Sequence, residues 1–313
     1  MKAVWQNCLE YFGIMSHSDA LMNLHGSQIR GYQLLESIGS GSYGVVYLAF
    51  SGPDSIAIKV SVREEDLLLE ASMLQQLYYT NVSPKFFFND KFGPFHTLGM
   101  ELLGPDIESL RQKVDFKFFE RPTLIKFTYQ ALTCLEALHG LKIVHRDIKL
   151  SNFAVTKPTT HENRVAVRIF DFGLSHVYAD ANGNLLDDAR NFNFSKMKYS
   201  AYEPSLGCDP MPKDDICQLG YAVMYAAGFD FGKKLKCPDD ELSNWKRELI
   251  RVPAKTLPLP VQFMLPFYEL VGDLDDIIPI QYDLLKQRVQ ECMPEVDTSD
   301  LILSDEDGRL TLI

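Results

Sequence analysis

Three glycines set between two strand-like runs constrain this chain more than any other feature. YQLLESIG (32–39) alternates loosely, runs into GSGSYG (39–44) and is followed by VVYLAF (45–50). Gly39, Gly41 and Gly44 fit G-x-G-x-x-G, with Val46 two after the last glycine. Without Cβ atoms, the backbone N–H groups of such a turn can lie close over phosphates. The same spacing opens a dinucleotide-binding unit, but there a helix follows the last glycine. Here a β-prone run follows, so the spacing predicts a strand, a glycine turn and a second strand, closed as a hairpin lid.

The next run, SIAIKV (55–60), reads as a short buried strand carrying one lysine. Burying an unpaired ammonium is costly, so Lys59, between Ile58 and Val60, needs a partner unless it snorkels at an edge. Residues 64–79 read as a helix in which Leu67, Glu70, Met73, Leu74 and Leu77 share a face. Glu70 is the acid on that otherwise apolar side. Strands are expected from about 86, over 96–104, at 153–155 and leading into 171, and helices over 121–139, 213–225, 240–251 and 277–292. Asp106 is placed to cap a short helix.

A second constellation lies in IVHRDIKLSN (143–152) and in Asp171-Phe172-Gly173. It offers a carboxylate (Asp147), an ammonium (Lys149), an amide (Asn152) and a further carboxylate (Asp171). Such groups suit a site that accepts a hydroxyl proton, steadies a transferring phosphoryl group and holds a hard cation through oxygen donors. The spacing matches the H-R-D-x-x-x-x-N loop and D-F-G of protein kinases. The chain thus resembles a protein kinase from about Tyr32 to Met293. More narrowly it is similar to the casein kinase 1 family, on GSGSYGVVYLA, MELLGPDIESL, HRDIKLSNFAV, DFGLS and DDICQLGYAVMY.

The resemblance implies an α+β, two-lobed fold, with a β-rich lobe over about 31–100 and a mostly helical one over about 104–293. It also implies an N-terminal extension (1–30) and an acidic tail (294–313). It implies Ser/Thr phosphoryl transfer from ATP with Mg²⁺, without obligatory phosphorylation of the activation segment. Asp147 is then the catalytic base and Lys149 a neutraliser of the γ-phosphoryl. Lys59 reaches the α- and β-phosphates and pairs with Glu70, and Asn152 and Asp171 hold Mg²⁺. The nucleotide site draws on Ile38, Gly39, Ser40, Gly41, Ser42, Tyr43, Gly44, Val46, Ala57, Lys59, Met100, Glu101, Leu103 and Ala154. His145, Arg146, Phe172, Gly173 and Asp215 give structural support, Asp215 by capping the catalytic-loop backbone.

The chain departs from the family in places. It lacks A-P-E and carries YSAYEPSLG (199–207) instead. Lys196 stands where a threonine would touch the catalytic aspartate, and Lys198 replaces an arginine that contacts the phosphate of primed substrates. A second basic cluster is only partly echoed by Lys233, Lys234 and Lys236, with Asp239 and Asp240 following at once. A lysine cannot make an arginine's bidentate phosphate contact, which weighs against primed substrates. A tryptophan usual after the central helix is missing, and Leu150 replaces a common proline. Lys196 and the acidic surface also support a pseudokinase scaffold. A small-molecule kinase of the same fold is a third reading.

The net charge of −11 argues against a nucleic-acid partner, which needs a basic face. Protein substrates with Ser/Thr acceptors are the expected partners, and the chain is expected to be monomeric. No apolar run reaches about 18 residues, so membrane insertion is not expected. The six cysteines (Cys8, Cys134, Cys208, Cys217, Cys237, Cys292) show no metal-ligand spacing. They read as reduced thiols of a cytoplasmic and/or nuclear protein. The six acids of Glu295–Ile313 give that stretch the composition of a peripheral, disordered tail.

Overall fold

The computed structural model describes residues 21–41, 43–158, 163–188, 190, 192–197, 199–275, 279–299, 301–306 and 309–313. The chain divides into two compact units, one up to Leu102 and one from Leu103.

The first unit is a six-stranded antiparallel sheet with one main helix. Its strands are β1 (Gln28–Ile29), β2 (Tyr32–Gly41), β3 (Gly44–Ser51), β4 (Asp54–Ser61), β5 (Phe86–Phe92) and β6 (Phe95–Glu101), in the order β1-β2-β3-β4-β6-β5. β2 and β3 are the expected hairpin, closed by the Gly41↔Gly44 pair. The helix α1 spans Glu64–Gln76 and stops short of the predicted 79. The chain turns there because Thr80 Oγ1 donates back to the Leu77 carbonyl (2.7 Å) and Asn81 takes φ 56°, a conformation asparagine tolerates better than most.

Part of the stretch expected as an extension is built into this unit. Leu21, Leu24 and Ile29 are buried against Leu34, Tyr47, Ala49 and Phe95. The Tyr47 hydroxyl donates to the Leu21 carbonyl (2.5 Å) and accepts the Leu24 N–H (3.3 Å). Each of those aliphatic side chains contributes roughly 1.5–3 kcal/mol by burial. Periodicity did not reveal this because three contacts over nine residues follow no single period.

The second unit is mostly helical. Its larger helices are α2 (Ile107–Lys113), α3 (Arg121–Gly140), α4 (Pro212–Ala226), α5 (Asp239–Arg251), α6 (Leu265–Gly272) and α7 (Tyr282–Glu291). Leu124, Phe127, Ala131, Leu135 and Leu138 of α3 all lie in the core, as their spacing predicts. α4 is buried on nearly every side. Asp106 caps α2 by accepting the Ser109 N–H at 2.9 Å. α7 is described from Tyr282, after Pro279; the predicted start at 277 lies outside the described residues. Trp245 of α5 packs on Tyr221, Phe229 and Phe231, with ring centroids 5.9–6.0 Å apart, so an aromatic does cover the central helix, from a later position.

Short strand pairs fix the loops. β7 (Ile143–Val144) pairs with β11 (His176–Val177), and β8 (Phe153–Val155) with β10 (Val167–Ile169). The tail does not fit a peripheral reading. β12 (Leu301–Glu306) and β13 (Arg309–Leu312) form a hairpin, and β12 also pairs with β9 (Arg164–Val165). Leu301, Leu303 and Leu312 are buried. Among the described residues, no helix is long and apolar enough to cross a membrane.

Candidate active site

In the first unit, register places the predicted nucleotide residues on one face. Val46 lies opposite Lys59, and Ala57 lies opposite both Leu48 and Met100. Side chains alternate along a strand, so Val46, Ala57, Lys59 and Met100 point the same way. Ala57 and Met100 are buried; Ile38 and Ser40, nearer the hairpin tip, are exposed. Glu101 donates its N–H to the Lys85 carbonyl at 2.9 Å. Ser42 lies outside the described residues.

Lys59 Nζ meets Glu70 Oε2 at 2.6 Å, with only 8% and 4% of the two side chains exposed. The apolar face of α1 brings this acid to the strand. Both charges are desolvated, so removing either is expected to cost about 3–5 kcal/mol. The Tyr43 ring lies within cation–π reach of Lys59 (5.9 Å) and Arg63 (5.7 Å).

The glycines of the hairpin divide into two kinds. Gly44 has φ 129°, and a Cβ there would sit 2.3 Å from the Val60 carbonyl oxygen. A Cβ on Gly39 would make ordinary contact with Val46, and one on Gly41 would meet nothing within 4 Å. The fold therefore requires Gly44, while the other two leave space that suits an approaching phosphate. Gly44→Ala is expected to lose at least about 1–3 kcal/mol of stability in urea unfolding. Gly41→Ala should stay within about 0.5 kcal/mol of wild type, yet bind ATP more weakly in a thermal-shift titration.

In the second unit the catalytic-loop residues come together. Lys149 Nζ lies 2.7 Å from Asp147 Oδ2. Asn152 Nδ2 donates to the Asp147 backbone carbonyl (2.8 Å) and to Oδ2 (3.1 Å). That leaves the Asn152 Oδ1 as its acceptor end, the chemistry a hard cation asks for. Asp171 adds a carboxylate from a left-handed position, φ 66°. Two oxygen donors suit Mg²⁺, which keeps waters and takes ligands from substrate phosphates. Among the described residues, no group of three or more His, Cys, Asp or Glu could hold a metal ion.

The loop is hung from α4. Asp215, fully buried, accepts the N–H groups of His145 (2.7 Å) and Arg146 (2.8 Å) and contacts His139 Nε2 at 3.0 Å. Burial alone would raise its carboxyl, but the His139 contact and the backbone donors outweigh this and hold it below the usual carboxylate range. These bonds also support the φ of 72° at Arg146. The His145 ring packs on Phe172 at 5.3 Å and its Nε2 lies 3.1 Å from the Phe170 carbonyl. Phe172 and Gly173 are buried in the turn after Asp171, and Ala154 is buried in β8. Leu103, at the start of this unit, is half-buried. Lys198 and the Lys196 side chain lie outside the described residues.

Several partners escape sequence reasoning. Gln218 accepts the Ile148 N–H (2.9 Å) and donates to the Arg146 carbonyl (3.3 Å). Its place one turn after Asp215 was the available signal. Arg146 Nη1 donates to Asp188 Oδ2 at 2.5 Å, and Arg190 grips the same carboxylate. A cavity of about 200 Å³ borders Lys149, with Glu108, Tyr199, Tyr221 and Tyr225 among its walls. Arg111 holds Glu108 bidentately, at 2.8 and 2.7 Å.

Comparison with known proteins agrees with this geometry. The protein kinase domain family matches residues 32–205. A probable serine/threonine-protein kinase of Dictyostelium discoideum is 30% identical across 88% of this chain. The chain spans 56% of that relative's length. The structure of vaccinia related kinase 3 superposes with a TM-score of 0.72 at 14% identity, covering 91% of this chain and 98% of that one; at that identity the likeness speaks to the fold. With the family's motifs in register over more than half its length, and with its fold, this chain belongs to the protein kinase domain family.

Proposed function

We propose that the chain is a serine/threonine protein kinase of casein kinase 1 type. It would transfer the γ-phosphoryl of Mg-ATP to protein hydroxyls. The observation that carries this reading is Asp147, held by Lys149 and Asn152 on a loop fixed by a buried aspartate. Phosphoryl transfer asks a protein mainly for positioning and electrostatics, and this loop is built for both.

Asp147 takes the proton of the acceptor hydroxyl. Lys149, 46% exposed, neutralises charge on the transferring group. Lys59, fixed by Glu70, pairs with the α- and β-phosphates, and the hairpin N–H groups cover them. Asn152 and Asp171 would hold Mg²⁺, which when bound neutralises charge on the phosphates. Lys149 two residues after Asp147 favours Ser/Thr over Tyr acceptors. The cavity beside Lys149 gives a substrate side chain a place next to the acceptor. The bidentate Arg111 contact balances the one carboxylate in its wall.

The test is transfer of labelled phosphate from Mg-ATP to casein. Incorporation that stops when EDTA removes the metal supports the reading. No transfer, with a melting temperature that ATP still raises, replaces it with a nucleotide-binding scaffold, the reading Lys196 favours.

A further inference from the structure

We propose that the cavity beside Lys149 is a subsite for an uncharged aromatic side chain of the substrate, held within a few residues of the acceptor hydroxyl. The inference rests on the kinase reading above and names the class of peptide that the same site would take.

The size of the cavity suits one side chain. It encloses about 200 Å³, below the roughly 300–1,000 Å³ that holds a drug-sized ligand. One wall is the catalytic loop itself, from Ile148 to Ser151, so whatever fills the cavity lies beside Asp147. Three of the other lining residues are tyrosines, Tyr199, Tyr221 and Tyr225. Tyr199 and Tyr221 both stand against Phe231, with ring centroids at 5.8 and 5.9 Å, and Tyr221 also meets Trp245 at 6.0 Å. A second layer of rings thus fixes two of these walls before a peptide arrives, which lowers the cost of ordering them. Burial raises all three phenols above their ordinary value, so the rings stay neutral.

Charge decides which side chain fits. Glu108 brings a carboxylate to the wall, and its oxygens are already engaged. Arg111 grips both, Gln112 Nε2 donates at 2.8 Å and the Tyr225 hydroxyl donates at 3.2 Å. Burial would raise that carboxyl, but these donors outweigh it and hold it below the usual carboxylate range. Arg111 also lies 4.2 Å over the Tyr225 ring, so one face that would attract a cation is covered. An incoming lysine or arginine would find the carboxylate and that face taken, with the Lys149 ammonium close by. An incoming carboxylate or phosphate would meet Glu108 and the negative faces of the tyrosines. A neutral ring meets neither penalty and can stack on the tyrosines or sit edge-on to them.

The experiment measures phosphate transfer to peptides with a single serine acceptor. Each position from three before it to three after it carries Phe, Ala, Lys, Glu or phosphoserine in turn. At one position Phe should raise kcat/KM about 10–100-fold over Ala, the scale of burying one large apolar side chain, chiefly through KM. Lys, Glu and phosphoserine there should do no better than Ala. In Tyr199→Ala and in Tyr225→Leu the Phe-to-Ala ratio should shrink toward one. Arg111→Met releases the Glu108 carboxylate, so Lys should become the favoured residue at that position, and Arg111→Met/Glu108→Gln should lose that switch. Equal rates for Phe and Ala at every position overturn the proposal. So does a wild-type preference for Lys or phosphoserine, or a Phe preference that both tyrosine variants keep. Should Arg111→Met not melt cooperatively, Tyr199→Ala carries the test, since Tyr199 is 42% exposed. An inactive wild type refutes the kinase reading instead. Tighter binding of a fluorescent Phe peptide than of its Ala counterpart, lost in Tyr199→Ala, then keeps the subsite, and equal binding overturns it.

Discussion

Asp147→Asn is expected to lower kcat on casein by about 10²–10⁴, the range for a general base, with little change in stability. The amide keeps the shape of the carboxylate but cannot take the acceptor proton. What holds the loop does not depend on that side chain. The Asn152 amide also donates to the Asp147 backbone carbonyl, at 2.8 Å, and Asp215 holds the two preceding N–H groups. The contact that is lost, with Lys149, involves a side chain 46% exposed. Such partly solvated pairs contribute about 0–1 kcal/mol. The KM for ATP should hold steady, since Lys59 and the hairpin are untouched. Steady-state kinetics and urea unfolding on the same preparation check both halves. A variant that keeps more than about a tenth of wild-type kcat would remove Asp147 from the role of base.

Asp215→Ala should cost about 3–5 kcal/mol of stability. It leaves the N–H groups of His145 and Arg146 buried without an acceptor, and it strips the contact from His139. The Tyr282 hydroxyl lies on the far nitrogen of that same imidazole, so the damage reaches α7. Asp215→Asn should cost less, because its Oδ1 still satisfies one donor, though its NH₂ faces the other. The folded carboxyl titrates below its ordinary value. Its stability is therefore whole above the unfolded value of about 3.9 and drains as pH falls through the folded one. The gap between wild type and Asp215→Asn should be flat above about pH 5 and narrow in acid. Urea unfolding across that range checks it. A gap that widens in acid would mean that the charge does not stabilise the fold.

The residues proposed to carry the chemistry were legible because their spacing is local. The glycine hairpin, HRDIKLSN and DFG lie in short runs, and Lys59 and Glu70 are only 11 residues apart, on a strand and the helix that follows it. Secondary structure was readable where a single period held, as in α3. The partners of Arg146 were not, since Asp188 lies in a polar stretch without period and is selected by burial of a distant guanidinium. The tail was misread on composition. Its acids suggested disorder, while Leu301 and Leu303, and Leu310 and Leu312, alternate around an Asp-Gly pair, which is a strong hairpin signal. The burial of Leu21, Leu24 and Ile29 was not legible for the opposite reason: too few positions to form a pattern, each filling a gap that only the sheet creates.

The pairing of Leu301 with Val165 ties assembly of the second unit to translation. β9 leaves the ribosome well before β12, and at about 5–20 residues per second the interval is on the order of ten seconds. Throughout it β9 lacks the β12 edge it pairs with, and Thr123 of α3 lacks the Leu312 carbonyl it bonds in the finished fold. Local elements form in microseconds to milliseconds, so α3 and the catalytic loop have time to take shape around an unfinished sheet. Codon usage and pausing between those two strands, rather than the intrinsic folding rate, then set how long that open edge is offered to chaperones or to wrong partners.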